Sequence, residues 1–416
     1  LPALRNIGLL VTCAAEGGQG EIHAVPKAAM AWDEDGRITW AGPEAKMPRR
    51  LAAWKSDEDL DAGGRLVVPG LVDCHTHLAF GGWRADEFVR RARGESYAAI
   101  ARSGGGILST VRATREASED ELVERAAGFL DQMVRLGITT VEAKTGYGLD
   151  LQEEIRLLRV YQRLGERGPQ AIVPTLLAAH AVPPEYQGDR EGYVWLVCEE
   201  IIPAAEGMAR FCDVFVEEGA FTPDEARRIL EVGRSHGMEP KLHVDQLCDG
   251  GGASLAAELG SVSADHLEHV SPEGIRALAA SPTVGVTLPL ASLNRGGPPA
   301  PARRMVRAGV AVAVATDFNP GSAPSYHLPL ALTLACVSGG LTPAEALKGA
   351  TLHAARACGE EERAGSLEEG KGADFAVIDA PDVDTWLYHH RPNGCLMTVI
   401  GGRVVWSATG EGVREA

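Results

Sequence analysis

Through the middle of the chain, stretches of Val, Ile, Leu and Ala that are apolar on both faces alternate with amphipathic stretches of helical period. Strands of a parallel sheet are covered on both sides, so they read as continuous apolar runs, whereas a strand with one wet face alternates. The pattern predicts eight such strands, at 66–75, 138–144, 171–178, 211–216, 241–244, 261–266, 284–288 and 310–316. Helices are predicted between most of them. Over 222–236, Thr222 is placed to cap the N-terminus, Pro223 fits the first helical position and Glu225 completes a capping box. The stretch 118–136 repeats this signature with Ser118 and Glu121. Eight strands with helices between them predict an α/β fold, a (β/α)8 TIM-like barrel.

The two ends of the chain have a different texture. Short strands are predicted at 8–12, 28–32 and 37–40, and again at 374–378, 398–400 and 403–406, with Gly401-Gly402 as a hairpin turn. Neither set alone has enough strands to be stable, so the two are expected to combine into one small β-sandwich subdomain. The expected division is 1–64 and 363–416 for the two parts of that subdomain, with the barrel over 65–362.

Polar residues that end the predicted barrel strands are candidates for chemistry, because active sites of such barrels form at the C-terminal ends of the strands. His75 and His77 stand two apart after the first apolar run, which on an extended chain turns both imidazoles to one side. His243 closes in the fifth strand, His266 the sixth, and Asp317 follows the eighth. Any one of these has an ordinary structural explanation. Together they place three His and one Asp where they can converge on a divalent metal, with His266 nearby.

Composition narrows the partners. With 416 residues, 45% hydrophobic and 23% charged, the chain has ordinary globular composition. Its 40 Lys and Arg against 57 Asp and Glu give a net charge of −17, and no basic run interrupts it, which argues against nucleic acid. Any anionic substrate then needs a local cation to receive it. Eight Cys are scattered without CxxC spacing, the usage of reduced thiols, so a cytoplasmic location is expected. The apolar runs are shorter than the roughly 18 residues of a membrane helix, and no membrane partner is expected.

The segments Pro69-Gly70-Leu71-Val72-Asp73-Cys74-His75-Thr76-His77 and Gly365-Ser366-Leu367-Glu368-Glu369-Gly370-Lys371-Gly372-Ala373-Asp374 resemble signatures of the amidohydrolase superfamily. Gly81-Gly82-Trp83-Arg84, Gly104-Gly105-Gly106-Ile107, Lys144-Thr145-Gly146-Tyr147-Gly148-Leu149, Ala179-His180-Ala181, Ser263-Ala264-Asp265-His266-Leu267 and Thr316-Asp317-Phe318-Asn319-Pro320-Gly321-Ser322 are similar to one branch of it. That branch opens the ring of 4-imidazolone-5-propanoate in histidine degradation. The resemblance implies one zinc or iron ion held by His75, His77, His243 and Asp317, and a homodimer. The predicted fourth strand carries no Lys to bridge a second metal, which favours a single ion.

By the same resemblance Arg84 receives the propionate, and Tyr97, Tyr147, Asn319, Gly321 and Ser322 line the substrate. His180 polarises the carbonyl or steadies the oxyanion, and Gln246 contacts the ring without serving as a base. Asp317 and His266 carry the proton transfers, Asp317 moving a proton from the attacking water to the departing ring nitrogen. Two other readings use the same sequence: an aminohydrolase of a purine or another amidine ring, and a non-catalytic binding barrel. The first leaves Arg84 without a carboxylate to bind, and the second would be marked by a lost metal ligand, whereas none is missing. One stretch departs from the family pattern, residues 288–297, where Leu290 replaces the Gly expected after Leu-Pro and the aromatic residue that usually follows is absent.

Overall fold

The computed structural model describes residues 1–52, 59–95, 99 and 104–410. The chain opens with β1 (Ala3–Val11), β2 (Ala24–Trp32) and β3 (Ile38–Pro43), an antiparallel meander. The short β4 (Leu60–Asp61) and then β5 (Leu66–Pro69) return parallel to β1. The eight strands that follow are β6 (Leu71–Asp73), β7 (Ile138–Lys144), β8 (Ala171–Ala179), β9 (Phe211–Val216), β10 (Glu239–Val244), β11 (Ser263–His266), β12 (Val284–Thr287) and β13 (Val312–Val314). They pair in chain order, all parallel, with helices packed outside. The last strands, β14 (Phe375–Ile378), β15 (Cys395–Ile400) and β16 (Arg403–Ser407), complete the outer sheet in the order β16-β15-β14-β5-β1-β2-β3.

The barrel closes between its first and last strands. Asp317 N–H donates to His75 O (3.0 Å) and His77 N–H to Phe318 O (2.8 Å). Beneath them the Asp73 carboxylate accepts from the Thr316 backbone N–H and hydroxyl at 3.0 and 2.6 Å.

One predicted strand is corrected. The run 66–75 is two strands, because its pairing changes sheets at Pro69-Gly70: Leu66–Pro69 pairs with β14 and β1, and Leu71 N–H then donates to Gly137 O of the barrel (2.9 Å). Pro69 has no N–H to continue a ladder. Gly70 lies so close to Thr139 that a Cβ there would sit 2.3 Å from its Oγ1. The two predicted capping boxes form as expected, heading helices Glu119–Val134 and Pro223–Ser235.

The two layers of the expected sandwich come from one sheet that curls over its own core of Leu4, Ile7, Met30, Trp32, Phe375 and Val399. Ile38 N–H donates to Lys371 O and Ala373 N–H to Gly36 O, which ties the curl shut. The N-terminal loop also reaches the barrel. Gln19 exchanges hydrogen bonds with the backbone of Val312 (Nε2 to O, 2.7 Å; N to Oε1, 3.0 Å), and Lys348 Nζ donates to the carbonyls of Glu16, Gly18 and Glu21.

Candidate active site

Most of the residues singled out at strand ends meet at one mouth of the barrel. His75, His77, His243, His266 and Asp317 are buried there, and His75 is central: its ring centroid lies 5.5 Å from His77, 4.5 Å from His243 and 5.6 Å from His266. Asp317 Oδ1 is 3.5 Å from His75 Nε2 and 3.6 Å from His77 Nε2. The backbone bends sharply to deliver these groups. Asp245, His266, Leu267 and Asp317 all adopt left-handed conformations, with φ of 53°, 82°, 66° and 56°. Such positions are costly for residues with a Cβ and concentrate where side chains must be aimed.

The arrangement fits a metal ion. Candidate ligand atoms of His75, His77 and Asp317 lie within 4.8 Å of one another, as do those of His75, His243 and His266. His75 Nδ1 is held by Asp265 Oδ2 at 2.6 Å and His243 Nδ1 by the Asp213 carboxylate at 3.0 Å. Their Nε2 atoms are buried and have no hydrogen-bond partner among the described residues. A carboxylate behind one ring nitrogen and an unpaired lone pair on the other is the outer support that metal-binding imidazoles use. Burial pushes His75 and His77 well below the ordinary imidazole range, which keeps them in the neutral, ligating form.

Neighbouring groups are set for proton and hydrogen-bond chemistry. Burial disfavours charge on His266, but Glu268, with Oε1 3.5 Å from its Nδ1, outweighs that and raises its pKa. Burial likewise raises Asp317, against the pull of His266 and His243. His180 stacks on His77 with centroids 5.0 Å apart, and burial brings its pKa down to about 3. Its Nδ1 lies 3.1 Å from Gly146 O, which can only accept, so Nδ1 carries the proton. In that tautomer neutral His180 presents an acceptor at Nε2. Gly146, at φ 102°, permits the approach, since a Cβ there would meet His180 Nδ1 at 2.7 Å.

Arg84 precedes helix Ala85–Ala92 and lies against Gly321, where an added Cβ would fall 1.2 Å from its Nη2. Its Nε lies 3.6 Å from the Glu87 carboxylate, and this buried atom has no hydrogen-bond partner among the described residues. Glu87 in turn accepts from Gly106 N–H at 2.7 Å, which ties in the Gly104–Gly106 motif. The loop after β13 is folded by Asn319, whose Oδ1 accepts from the Gly321 and Ser322 N–H groups, both at 2.8 Å. The Ser322 hydroxyl lies 3.3 Å from Asp317 Oδ2.

The amidohydrolase family pattern matches residues 66–405. Imidazolonepropionase of Geobacillus kaustophilus (strain HTA426) is 48% identical over 377 residues, covering 90% of this chain and 89% of that protein. This chain belongs to the imidazolonepropionase family. The imidazolonepropionase of Myxococcus xanthus (strain DK1622) is 50% identical over 373 residues, 89% of this chain and 88% of that one. Among solved structures, 5-methylcytosine deaminase from Klebsiella pneumoniae superposes with a TM-score of 0.74 at 18% identity, over 99% of both chains. E. coli guanine deaminase also gives 0.74, at 17% identity, over 98% of this chain and 100% of that one. At such identities these two share the fold.

Within this imidazolonepropionase-family site, Tyr147 is buried with its ring 5.6 Å from those of His77 and His180. Gln246 is half-buried, its backbone N–H on Glu217 Oε2 (3.0 Å). Tyr97 lies outside the described residues. The atypical stretch 288–297 contains helix Pro289–Arg295 and supports three neighbours: Ser292 donates to Glu268, Asn294 to the carbonyls of Gly321 and Ser322, and Arg295 to Gln246 O. Asp213, Asp265, Glu217 and Glu268 were not singled out from sequence. Their signal was present, an acidic residue inside or just after an apolar run, but the partners of Asp213, Asp265 and Glu217 lie on other strands or their loops.

Proposed function

We propose that the chain hydrolyses the lactam C–N bond of 4-imidazolone-5-propanoate, giving N-formimidoyl-L-glutamate, with His75, His77, His243 and Asp317 as ligands of one divalent ion. The observation that carries the reading is Arg84, a nearly buried guanidinium with spare hydrogen-bonding capacity packed on Gly321 of the loop that follows Asp317. It supplies the local cation that an anionic substrate needs in a chain of net charge −17. A purine substrate would leave that charge unmatched. A zinc or iron ion, a homodimer and a cytoplasmic location complete the proposal.

A bound divalent ion supplies Lewis acidity and an activated water near neutral pH. The chain's own residues do the rest. Arg84 takes the propionate and so orients the ring. His180 accepts a ring N–H at Nε2, with Tyr147 and Gln246 beside the ring. Asp317, oriented by the Ser322 hydroxyl, takes a proton as water adds to the carbonyl carbon. His266, whose charged form Glu268 favours, faces the oxygen that gains charge. When the C–N bond breaks, Asp317 returns its proton to the departing nitrogen.

The test is loss of imidazolone-propanoate absorbance by purified protein whose metal content is measured on the same sample. About one transition metal per chain is expected, and turnover that falls roughly 100- to 10,000-fold in Asp317→Asn. Metal-replete protein that ignores this substrate and deaminates a purine would overturn the proposal.

A further inference from the structure

Five charged side chains are fully buried beneath the histidines: Glu142 and Lys144 on β7, Asp213 on β9, Lys241 on β10 and Asp265 on β11. The two lysines are not equivalent. Lys241 Nζ bonds to Glu142 Oε1 (2.7 Å) and to the carbonyl of Ala357 (3.1 Å). Lys144 Nζ contacts all three carboxylates, Glu142 at 3.0 Å, Asp213 Oδ2 at 2.8 Å and Asp265 Oδ2 at 3.4 Å. Two of these are the same carboxylates that hold Nδ1 of His243 and of His75. An ion paired this way is fixed in place, because removing one partner strands several buried charges. The chain of contact therefore runs from one ammonium, through two aspartates, to two imidazoles, one on β10 and one just past the end of β6.

We propose that Lys144 is a positioning residue, a single clamp that sets the directions of His75 and His243 together through Asp265 and Asp213. His77 and Asp317 have no such link among the described residues' contacts to Lys144. The proposal rests on the reading of His75 and His243 as metal ligands. Lys241 provides the matched control, being equally buried in the same network without touching either aspartate's histidine contact.

The experiment compares metal-stripped wild type, Lys144→Met and Lys241→Met, titrated with zinc against a chelator and, separately, with cobalt(II) followed by its visible spectrum. The expected result is a metal affinity about 10–100-fold weaker in Lys144→Met, with an altered cobalt spectrum, while Lys241→Met stays near wild type in both. Where Lys144→Met does not fold, Lys144→Gln, which keeps a donor and loses the charge, is expected to show the same direction of change. Unchanged zinc affinity in a folded Lys144 variant overturns the clamp while leaving the metal site standing. Equal losses in the Lys144 and Lys241 variants also overturn it, in favour of simple charge balance. Wild type that takes up neither metal overturns the ligand assignment itself.

Discussion

At the scale of the residue, what a position tolerates is set by what lies against it. Gly321 has the guanidinium of Arg84 where its Cβ would be, so Gly321→Ala must displace that side chain. Losing a charge-assisted pair to a carboxylate costs about 1.5–3 kcal/mol, and KM for the propionate-bearing substrate is expected to rise about 10- to 100-fold with the melting temperature little changed. A different kind of prediction comes from His353, in helix Leu352–Ala357, which burial, helped by Arg356 and Lys348, brings down to about 3. Between the ordinary imidazole value near 6.5 and about 3, the unfolded chain takes up a proton that the folded chain refuses. Stability therefore falls on acidification through that window, by up to about 1.4 kcal/mol per pH unit. Chemical denaturation at pH 7 and pH 5 should give a smaller difference for His353→Leu than for wild type. Residues such as His75 and Asp317 were legible in the sequence because each is a polar group ending an apolar run. Asp265 was not, because its partner His75 is 190 positions away and nothing local announces it.

Elements were legible where local chemistry agrees with tertiary packing. Thr222 and Ser118 each accept from the backbone N–H three residues on, and each is answered by its Glu, so both helix starts fell where the sequence put them. Thr222→Ala removes one of those acceptors and is expected to cost about 1 kcal/mol, measured by denaturant unfolding, with kcat unchanged. The 66–75 run reads as one strand because a Val-Val-Pro-Gly-Leu-Val stretch has no polar residue and periodicity carries no mark of which sheet a strand joins. Pro69-Gly70 was the one cue. The stretch 288–297 was noticed as unusual, yet its role as a prop for Glu268, Gly321 and Gln246 depends on loops from three other strands.

For the molecule as a whole, the site is built across the place where the barrel meets itself. His75 and His77 stand on one side of that join and Asp317 on the other, so a metal held by all three ties first strand to last. Removing it with a chelator is expected to lower the melting temperature and to speed amide exchange at His77 and Asp317 more than in β9 or β10, followed by hydrogen exchange. The Asp73–Thr316 contact under the same join spans 243 positions of sequence. A contact that distant is slow to form, since most of the chain must already be arranged before its ends can meet. During synthesis the first histidines leave the ribosome long before Asp317 exists. With the proposed ligand set, metal capture is then a late event, and the arrival of the ion would report that the barrel has finished folding.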